Sequence, residues 1–133
     1  MVDQDPQPLV PDEEASPFST PSESDRRRKE RKPLSVRARM ALQGKPPLEI
    51  RTFDINAGGV GVITEVNLPV HTLCNVFFKL PQPDGSFFNV AAAGTVTHCT
   101  FSRTRMGFTV GLMFKEVPET LLYAINTYMK SCA

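Results

Sequence analysis

Hydrophobic and polar residues alternate along much of the chain beyond residue 33, which is the pattern of half-buried β-strands. In the segment Leu34–Leu42 every second residue is apolar, and Arg37 and Arg39 occupy the other parity. The segments that follow are rich in β-branched and aromatic residues, which favour strands. We predict six strands, over residues 34–42, 48–55, 60–66, 73–80, 87–101 and 107–114.

Turn residues separate these segments at short intervals, and the pair Asp84-Gly85 inside "PQPDGS" is a hairpin signal. Short strands with such spacing favour a small antiparallel barrel or sandwich over alternating strands and helices. Near Pro118 the period changes to that of a helix, predicted over about residues 118–131. Its apolar stripe, expected to pack on the strands or alternatively to dock a partner, consists of Leu121, Leu122, Ile125 and Met129.

Charge divides the chain sharply although its net charge is only +1. Residues 1–25 contain seven acidic residues and no lysine or arginine, together with five of the twelve prolines. We expect this segment to be a disordered tail. Residues 26–51 contain ten basic and two acidic residues. Such a segment suits either an arm that binds an anion or a solvated linker.

Other features exclude several classes of protein. The chain does not begin with a signal-peptide pattern and has no run of 18 apolar residues, so we expect a soluble cytoplasmic protein. Three cysteines, Cys74, Cys99 and Cys132, form no CxxC pair. They are predicted to be reduced structural thiols, without a disulfide framework or a metal site.

Candidate catalytic groups are few. Adjacent strand residues point to opposite faces, so His98 and Cys99 cannot act as base and nucleophile, and His98 is expected to be partly buried. The glycines near Gly59 are followed by a β-rich segment and not by the GK[ST] and helix of a phosphate-binding loop. We therefore predict that the protein is not an enzyme and uses no cofactor.

Two motifs carry binding chemistry instead. One is the basic run "DRRRKER" before the first strand, and the other is "FDINAGG" between the second and third strands. Arginine can bind a phosphate, pair with guanine or stack on a base, and an aspartate offers two acceptors that match guanine N1–H and N2–H. The combination suits a compact anion with guanine faces. The candidate binding residues are Arg26, Arg27, Arg31, Asp54, Asn56 and Gly59.

An RxxxR motif before the first strand and a [D/N]xSxxG motif after the second together resemble the PilZ domain family of bacterial cyclic di-GMP receptors. The resemblance covers roughly residues 26–130 and implies an all-β fold with a C-terminal helix, a six-stranded antiparallel barrel. The domain would span residues 26–133, with a ligand-binding arm at 26–33. It also implies that Arg27 and Arg31 bind the phosphates and guanines of cyclic di-GMP, while Asp54, Asn56 and Gly59 line the barrel side.

Two details remain open at this point. Asn56 stands where the family usually has serine, and the alternative explanation of "DINAGG" is an Asx-type turn with glycines at positive φ. Arg26 is a polar residue directly before RxxxR, a position at which some family members bind an intercalated pair of dinucleotides. We therefore expect two ligands per chain.

Three functions from different classes follow from these residues. The first is a cyclic di-GMP receptor that signals to an unidentified protein partner in motility, biofilm or exopolysaccharide control. The second is a PilZ-type adaptor, related to type IV pili, that binds no nucleotide. The third is a nucleic-acid-binding barrel, which we do not favour because the strands show no interleaved basic and aromatic platform. These residues are also compatible with a homodimer.

Overall fold

The computed structural model describes residues 30–131. It contains seven strands and one helix, and every strand pairing is antiparallel. The elements are β1 (Lys32–Pro33), β2 (Arg37–Leu42), β3 (Leu48–Asn56), β4 (Gly59–Thr64), β5 (Leu73–Pro81), β6 (Phe87–Ser102), β7 (Gly107–Phe114) and α1 (Glu119–Lys130).

The sheet closes on itself as a barrel. Its strands follow the order β1-β3-β2-β5-β6-β7-β4, and a further pairing between β3 and β4 joins the two ends. β1 and β2 are consecutive parts of one strand, since both pair with β3, at Asp54–Ile55 and at Leu48–Arg51 respectively. The predicted six-stranded antiparallel barrel with a C-terminal helix is therefore confirmed. The predicted tail, residues 1–25, lies outside the described residues.

The alternation in the sequence becomes the inside and outside of the barrel. In β5 the even-numbered residues are buried and the odd-numbered ones from Leu73 to Lys79 are exposed. The hairpin to β6 turns at Gly85, whose φ of 91° requires a residue without Cβ strain, and Asp84 accepts hydrogen bonds from Ser86. Residues with no exposed surface at the centre of the core are Met40, Ile55, Val60, Val62, Val76, Leu80, Val110 and Ile125.

The helix α1 packs against β3 and β5 through Leu121, Ala124 and Ile125. The predicted packing of Leu121 and Ile125 is thereby confirmed. Leu122, assigned to the same stripe, is instead 38% exposed, and Ala124 takes the buried position. The periodicity wrongly included Leu122 in the buried stripe, because the barrel covers only a narrow side of the helix.

The C-terminal end of α1 is joined to β1. The Lys32 ammonium donates to the backbone oxygens of Tyr128 and Ser131 and lies 4.5 Å from the centroid of the Tyr128 ring. A cation at this end satisfies carbonyl groups that have no partner within the helix. The Tyr128 hydroxyl in turn donates to the Pro33 carbonyl at 2.6 Å, and burial raises the pKa of this tyrosine. The base of the arm thus lies between β3 and α1.

Between β1 and β2 the strand is held by a buried hydroxyl. Thr52 is 1% exposed, accepts a hydrogen bond from the Val36 amide at 3.0 Å and donates one to the Leu34 carbonyl. Its own amide donates to the Val36 carbonyl. A threonine on β3 therefore replaces the regular ladder where the first strand is interrupted.

We predict that Thr52→Val lowers the free energy of unfolding by about 1–3 kcal/mol, since the Val36 amide and the Leu34 carbonyl lose their buried partner. Thr52→Ser keeps the hydroxyl and should cost less. Denaturant unfolding of the three chains measures the difference. Equal stability of the valine variant and the unsubstituted chain would show that the hydroxyl does not hold the interruption.

Candidate functional site

The turn between β3 and β4 is built by the side chain of Asn56. Its Oδ1 accepts hydrogen bonds from the amides of Gly58 and Gly59, both at 2.9 Å. The Asx-type turn given above as the alternative explanation is therefore present. Asn56 is 5% exposed, so its side chain shapes the hairpin from beneath the surface.

The glycines of this turn were expected to be required for positive φ angles, and the structure gives a different reason for Gly59. Within residues 30–131 the glycines with positive φ are Gly44 and Gly85, so the expectation of positive φ at Gly58 and Gly59 is wrong. Position 59 has no room for a side chain, because a Cβ there would lie closer than 3.0 Å to the backbone oxygen of Leu112 on β7. The close approach of two strands excludes a side chain at this position.

A β-bulge places Asp54 on the outer surface. The register between β3 and β4 passes from Thr52 opposite Val62 to Asp54 opposite Gly61, so Phe53 is an extra residue. Both Phe53 and Asp54 then lie against Gly61. A Cβ on Gly61 would be closer than 3.0 Å to Asp54 Oδ1 and to two atoms of the Phe53 ring. The missing side chain makes room for a carboxylate and an aromatic ring side by side.

Arg31, at the C-terminal part of the arm, contacts the Asp54 carboxylate. Arg31 Nη2 lies 2.9 Å from Asp54 Oδ1, and the two side chains are 37% and 23% exposed. Oδ1 is shielded from solvent, and the contact has the distance of an ion pair without the angles of a hydrogen bond. Backbone pairing explains the meeting, since Pro33 lies opposite Asp54 and Lys32 opposite Ile55.

This ion pair is suited to exchange. A partly exposed pair contributes on the order of 1 kcal/mol, whereas hydrogen bonds to charged groups contribute about 1.5–3 kcal/mol each. An anionic ligand that offers such bonds to the guanidinium can therefore compete with Asp54. A ligand with two N–H donors can at the same time satisfy the carboxylate that Arg31 leaves.

The structure brings together four of the six predicted binding residues. Arg31, Asp54, Asn56 and Gly59 lie at or beside the β3–β4 hairpin. Arg26 and Arg27 lie outside the described residues, and their role stays a prediction.

Sequence reasoning missed three further residues at this place: Phe53, Gly61 and Arg105. The Arg105 guanidinium lies 4.6 Å from the centroid of the Phe53 ring. A glycine inside a strand pattern is the one available signal, because it marks a bulge or a close approach. Nothing in the sequence connects Arg105 with Phe53.

His98 and Cys99 were considered above as catalytic groups. His98 is exposed, and its ring occupies the space that a Cβ on Gly111 would need, so the expected partial burial is wrong. Cys99 accepts a hydrogen bond from the Leu68 amide. Burial raises the pKa of the Cys74 thiol on β5 to about 11, which suits a structural thiol. Residues 30–131 contain no group of three or more histidine, cysteine or acidic side chains that could hold a metal ion.

The fold and the position of the site agree with a known family. The sequence model of the PilZ domain family matches residues 25–131 of the chain. The chain belongs to the PilZ family. PilZ domains are receptor and adaptor domains. Comparison with curated protein sequences finds no match.

Three solved structures share the fold. The Bacillus subtilis inhibitor of motility MotI/DgrA has a TM-score of 0.65 and 13% identity, over 74% of this chain and 46% of that one. Borreliella burgdorferi PlzA in complex with c-di-GMP has a TM-score of 0.52 and 19% identity, over 79% and 36%. The PilZ domain of Escherichia coli YcgR with c-di-GMP has a TM-score of 0.56 and 15% identity, over 77% and 87%. This PilZ chain spans less than half the length of the first two. In residues 30–131, no helix has the length and apolar character needed to span a membrane.

We predict different outcomes for two glycine substitutions. Gly61→Ala should leave the fold stable, since Asp54 and Phe53 are flexible side chains that can move aside, but it should displace Asp54 from Arg31. Gly59→Ala forces a Cβ onto a backbone oxygen and should cost about 1–3 kcal/mol of stability. Thermal unfolding measures the second effect, and NMR chemical shifts at Arg31 report the first.

The bulge does not control the site if the Arg31 shifts of the Gly61→Ala chain equal those of the unsubstituted chain. Equal stability of the two alanine variants would contradict the distinction between backbone and side-chain contacts.

Proposed function

We propose that this PilZ protein is a receptor for cyclic di-GMP whose arginine arm closes on the dinucleotide and whose ligand state is passed to a protein partner. The observation that carries the proposal is the contact between Arg31 and Asp54, because it brings the arm and the β3–β4 hairpin to one place. The two related structures described with c-di-GMP support the choice of ligand.

Asp54 provides the guanine-reading group in this proposal. Its carboxylate offers acceptors to the N1–H and N2–H donors on the Watson–Crick edge of guanine, a pairing that adenine cannot make. It lies on the outer surface at the bulge, where its side chain is 23% exposed. Asp54 is therefore expected to decide between guanine and other bases.

Arg31 exchanges partners when the ligand binds. Without ligand its guanidinium neutralises Asp54. With ligand, Asp54 accepts from guanine, and Arg31 turns to a phosphate or to guanine O6 and N7, for which its planar fork is suited. Ordering a free arm of six residues would cost roughly 6–12 kcal/mol. The backbone pairing of the adjacent Lys32 and Pro33 with β3 reduces this cost at the Arg31 end.

The adaptor function without nucleotide has one observation in its favour. Asn56 Oδ1 accepts two hydrogen bonds within the hairpin, and the residue is buried. A serine at this place is shorter and would leave more room at the turn. The predicted role of Asn56 in ligand binding therefore depends on its position beneath the site and less on direct contact.

The nucleic-acid function also has a specific observation in its favour. The outer face of β2, β5 and β6 places Phe77 opposite Arg39 and two residues from Lys79, with Phe77 43% and Phe87 61% exposed. Exposed phenylalanines thus lie beside basic residues on this face, while the absence of an interleaved basic and aromatic platform stays a prediction. The same face could serve the protein partner of a receptor, so the ligand test must include an oligonucleotide.

Calorimetric titration with cyclic di-GMP, GTP and a short single-stranded oligonucleotide separates the three functions. The receptor proposal expects saturable heat with cyclic di-GMP only. It further expects Arg27→Ala and Arg31→Ala each to weaken binding at least about tenfold, or about 1.4 kcal/mol, because each removes charged hydrogen bonds to the ligand. Arg39→Ala is the control, since this exposed arginine has a 4.0 Å pair with Glu49 away from the site.

Heat with the oligonucleotide alone would favour the nucleic-acid function, and no heat with any of the three compounds would favour the adaptor. Unchanged affinity of both arm variants, with binding intact, would remove the arm from the mechanism.

The stoichiometry of the same titration tests the role of Arg26. We expect saturation at two ligands per chain, because a polar side chain before RxxxR suits an intercalated pair of dinucleotides. Arg26→Leu should then reduce the stoichiometry toward one. Saturation of the unsubstituted chain at one ligand would reject the two-ligand site while leaving the receptor function in place.

A further inference from the structure

A second guanidinium lies at the site and comes from the opposite end of the domain sequence. Arg105 belongs to the turn between β6 and β7, where its amide donates to Ser102 Oγ at 3.2 Å and the Met106 amide donates to the Arg103 carbonyl at 3.2 Å. Hydrogen bonds within the turn thus fix the backbone from which this side chain extends. Its position is set by the barrel and not by the arm.

The guanidinium of Arg105 lies over the Phe53 ring, 4.6 Å from the ring centroid. A stacked guanidinium uses its face for the aromatic ring and keeps its N–H donors at its edges. No ion pair is formed by this guanidinium with any of residues 30–131. An exposed cation is therefore held in place with its donors available.

Phe53 connects this cation to the carboxylate at the site. Because of the bulge, the Phe53 ring and Asp54 Oδ1 both lie closer than 3.0 Å to the position that a Gly61 Cβ would take. The side chains of Arg31, Asp54, Phe53 and Arg105 therefore form a row at this surface. The row has an acidic and an aromatic group at its centre and a guanidinium at each end.

We propose that Phe53 and Arg105 form a phosphate-binding subsite, a hypothesis that rests on the proposed receptor function. Each phosphodiester of a cyclic dinucleotide carries one negative charge, which a neighbouring carboxylate repels. The Watson–Crick edge that pairs with Asp54 is the edge away from the ribose, so the phosphodiester lies beyond the base from that carboxylate, as Arg105 lies beyond the Phe53 ring. Arg105 supplies a fixed positive charge there and can bind two phosphate oxygens with parallel N–H groups. Phe53 keeps the guanidinium plane oriented.

Binding of cyclic di-GMP to arginine variants tests the subsite. Arg105→Ala should weaken binding about tenfold, since charged hydrogen bonds to phosphate are lost. The affinity of Arg105→Lys should lie between those of the unsubstituted chain and Arg105→Ala, because a lysine keeps the charge but neither stacks nor binds in bidentate fashion. Arg103→Ala removes the same charge from the same exposed turn and should change affinity less than about twofold.

A double-mutant cycle tests the part played by the ring. Phe53→Leu should weaken binding, and the chain with both Phe53→Leu and Arg105→Ala should bind as weakly as Arg105→Ala alone, since both act through one contact. Thermal unfolding shows whether the leucine variant folds normally. The arginine variants, whose side chains lie on the surface, decide the proposal if it does not.

Every result of the titrations bears on the subsite. Unchanged affinity of Arg105→Ala, with Arg31→Ala weakened, would overturn the subsite and leave the receptor function standing. Equal losses from Arg103→Ala and Arg105→Ala would overturn it as well, because general attraction would then explain both. Absence of binding by the unsubstituted chain would overturn both proposals, and additive losses in the cycle would remove Phe53.

Discussion

The ion pair between Arg31 and Asp54 joins the residue before β1 to the end of β3. Its guanidinium and carboxylate lie together because the backbone of Lys32 and Pro33 pairs with the end of β3. The pair is partly exposed, so it is weak enough to exchange with a ligand and still positions both groups. A receptor of the proposed kind requires this combination of a fixed backbone and exchangeable side chains.

Small features of β3 and β4 place the carboxylate beside Arg31 at the surface. The bulge at Phe53 turns Asp54 outward, and Gly61 leaves the space into which both side chains lean. Asn56 closes the hairpin with its own side chain. On the other side of the arm, Lys32 binds the last carbonyls of α1. A ligand that draws Arg31 away from Asp54 therefore acts on a segment that contacts both the barrel and the helix.

The fold could be predicted from the sequence because burial alternates strictly in strands such as β5, and because Asp84-Gly85 has few conformations other than a tight turn. The contents of the site were predicted in part. A bulge changes the side of the sheet to which residues point without changing their order in the chain. The hydrophobic pattern therefore could not predict the bulge at Phe53. Arg105 reaches Phe53 through the barrel closure, which no local pattern reports. The exposed Phe77 was recognisable, since two adjacent phenylalanines in one strand must point to opposite faces.

The exchange of Arg31 between Asp54 and ligand is tested most directly by NMR of the chain with and without cyclic di-GMP. Signals of the Arg31 guanidinium and the guanine imino proton report the two sides of the exchange. If the exchange occurs, the bound ligand shows a protected guanine N1–H near Asp54, and the Arg31 guanidinium contacts the dinucleotide. Bound ligand with the Arg31–Asp54 pair intact and the guanine imino proton exposed to solvent would contradict it.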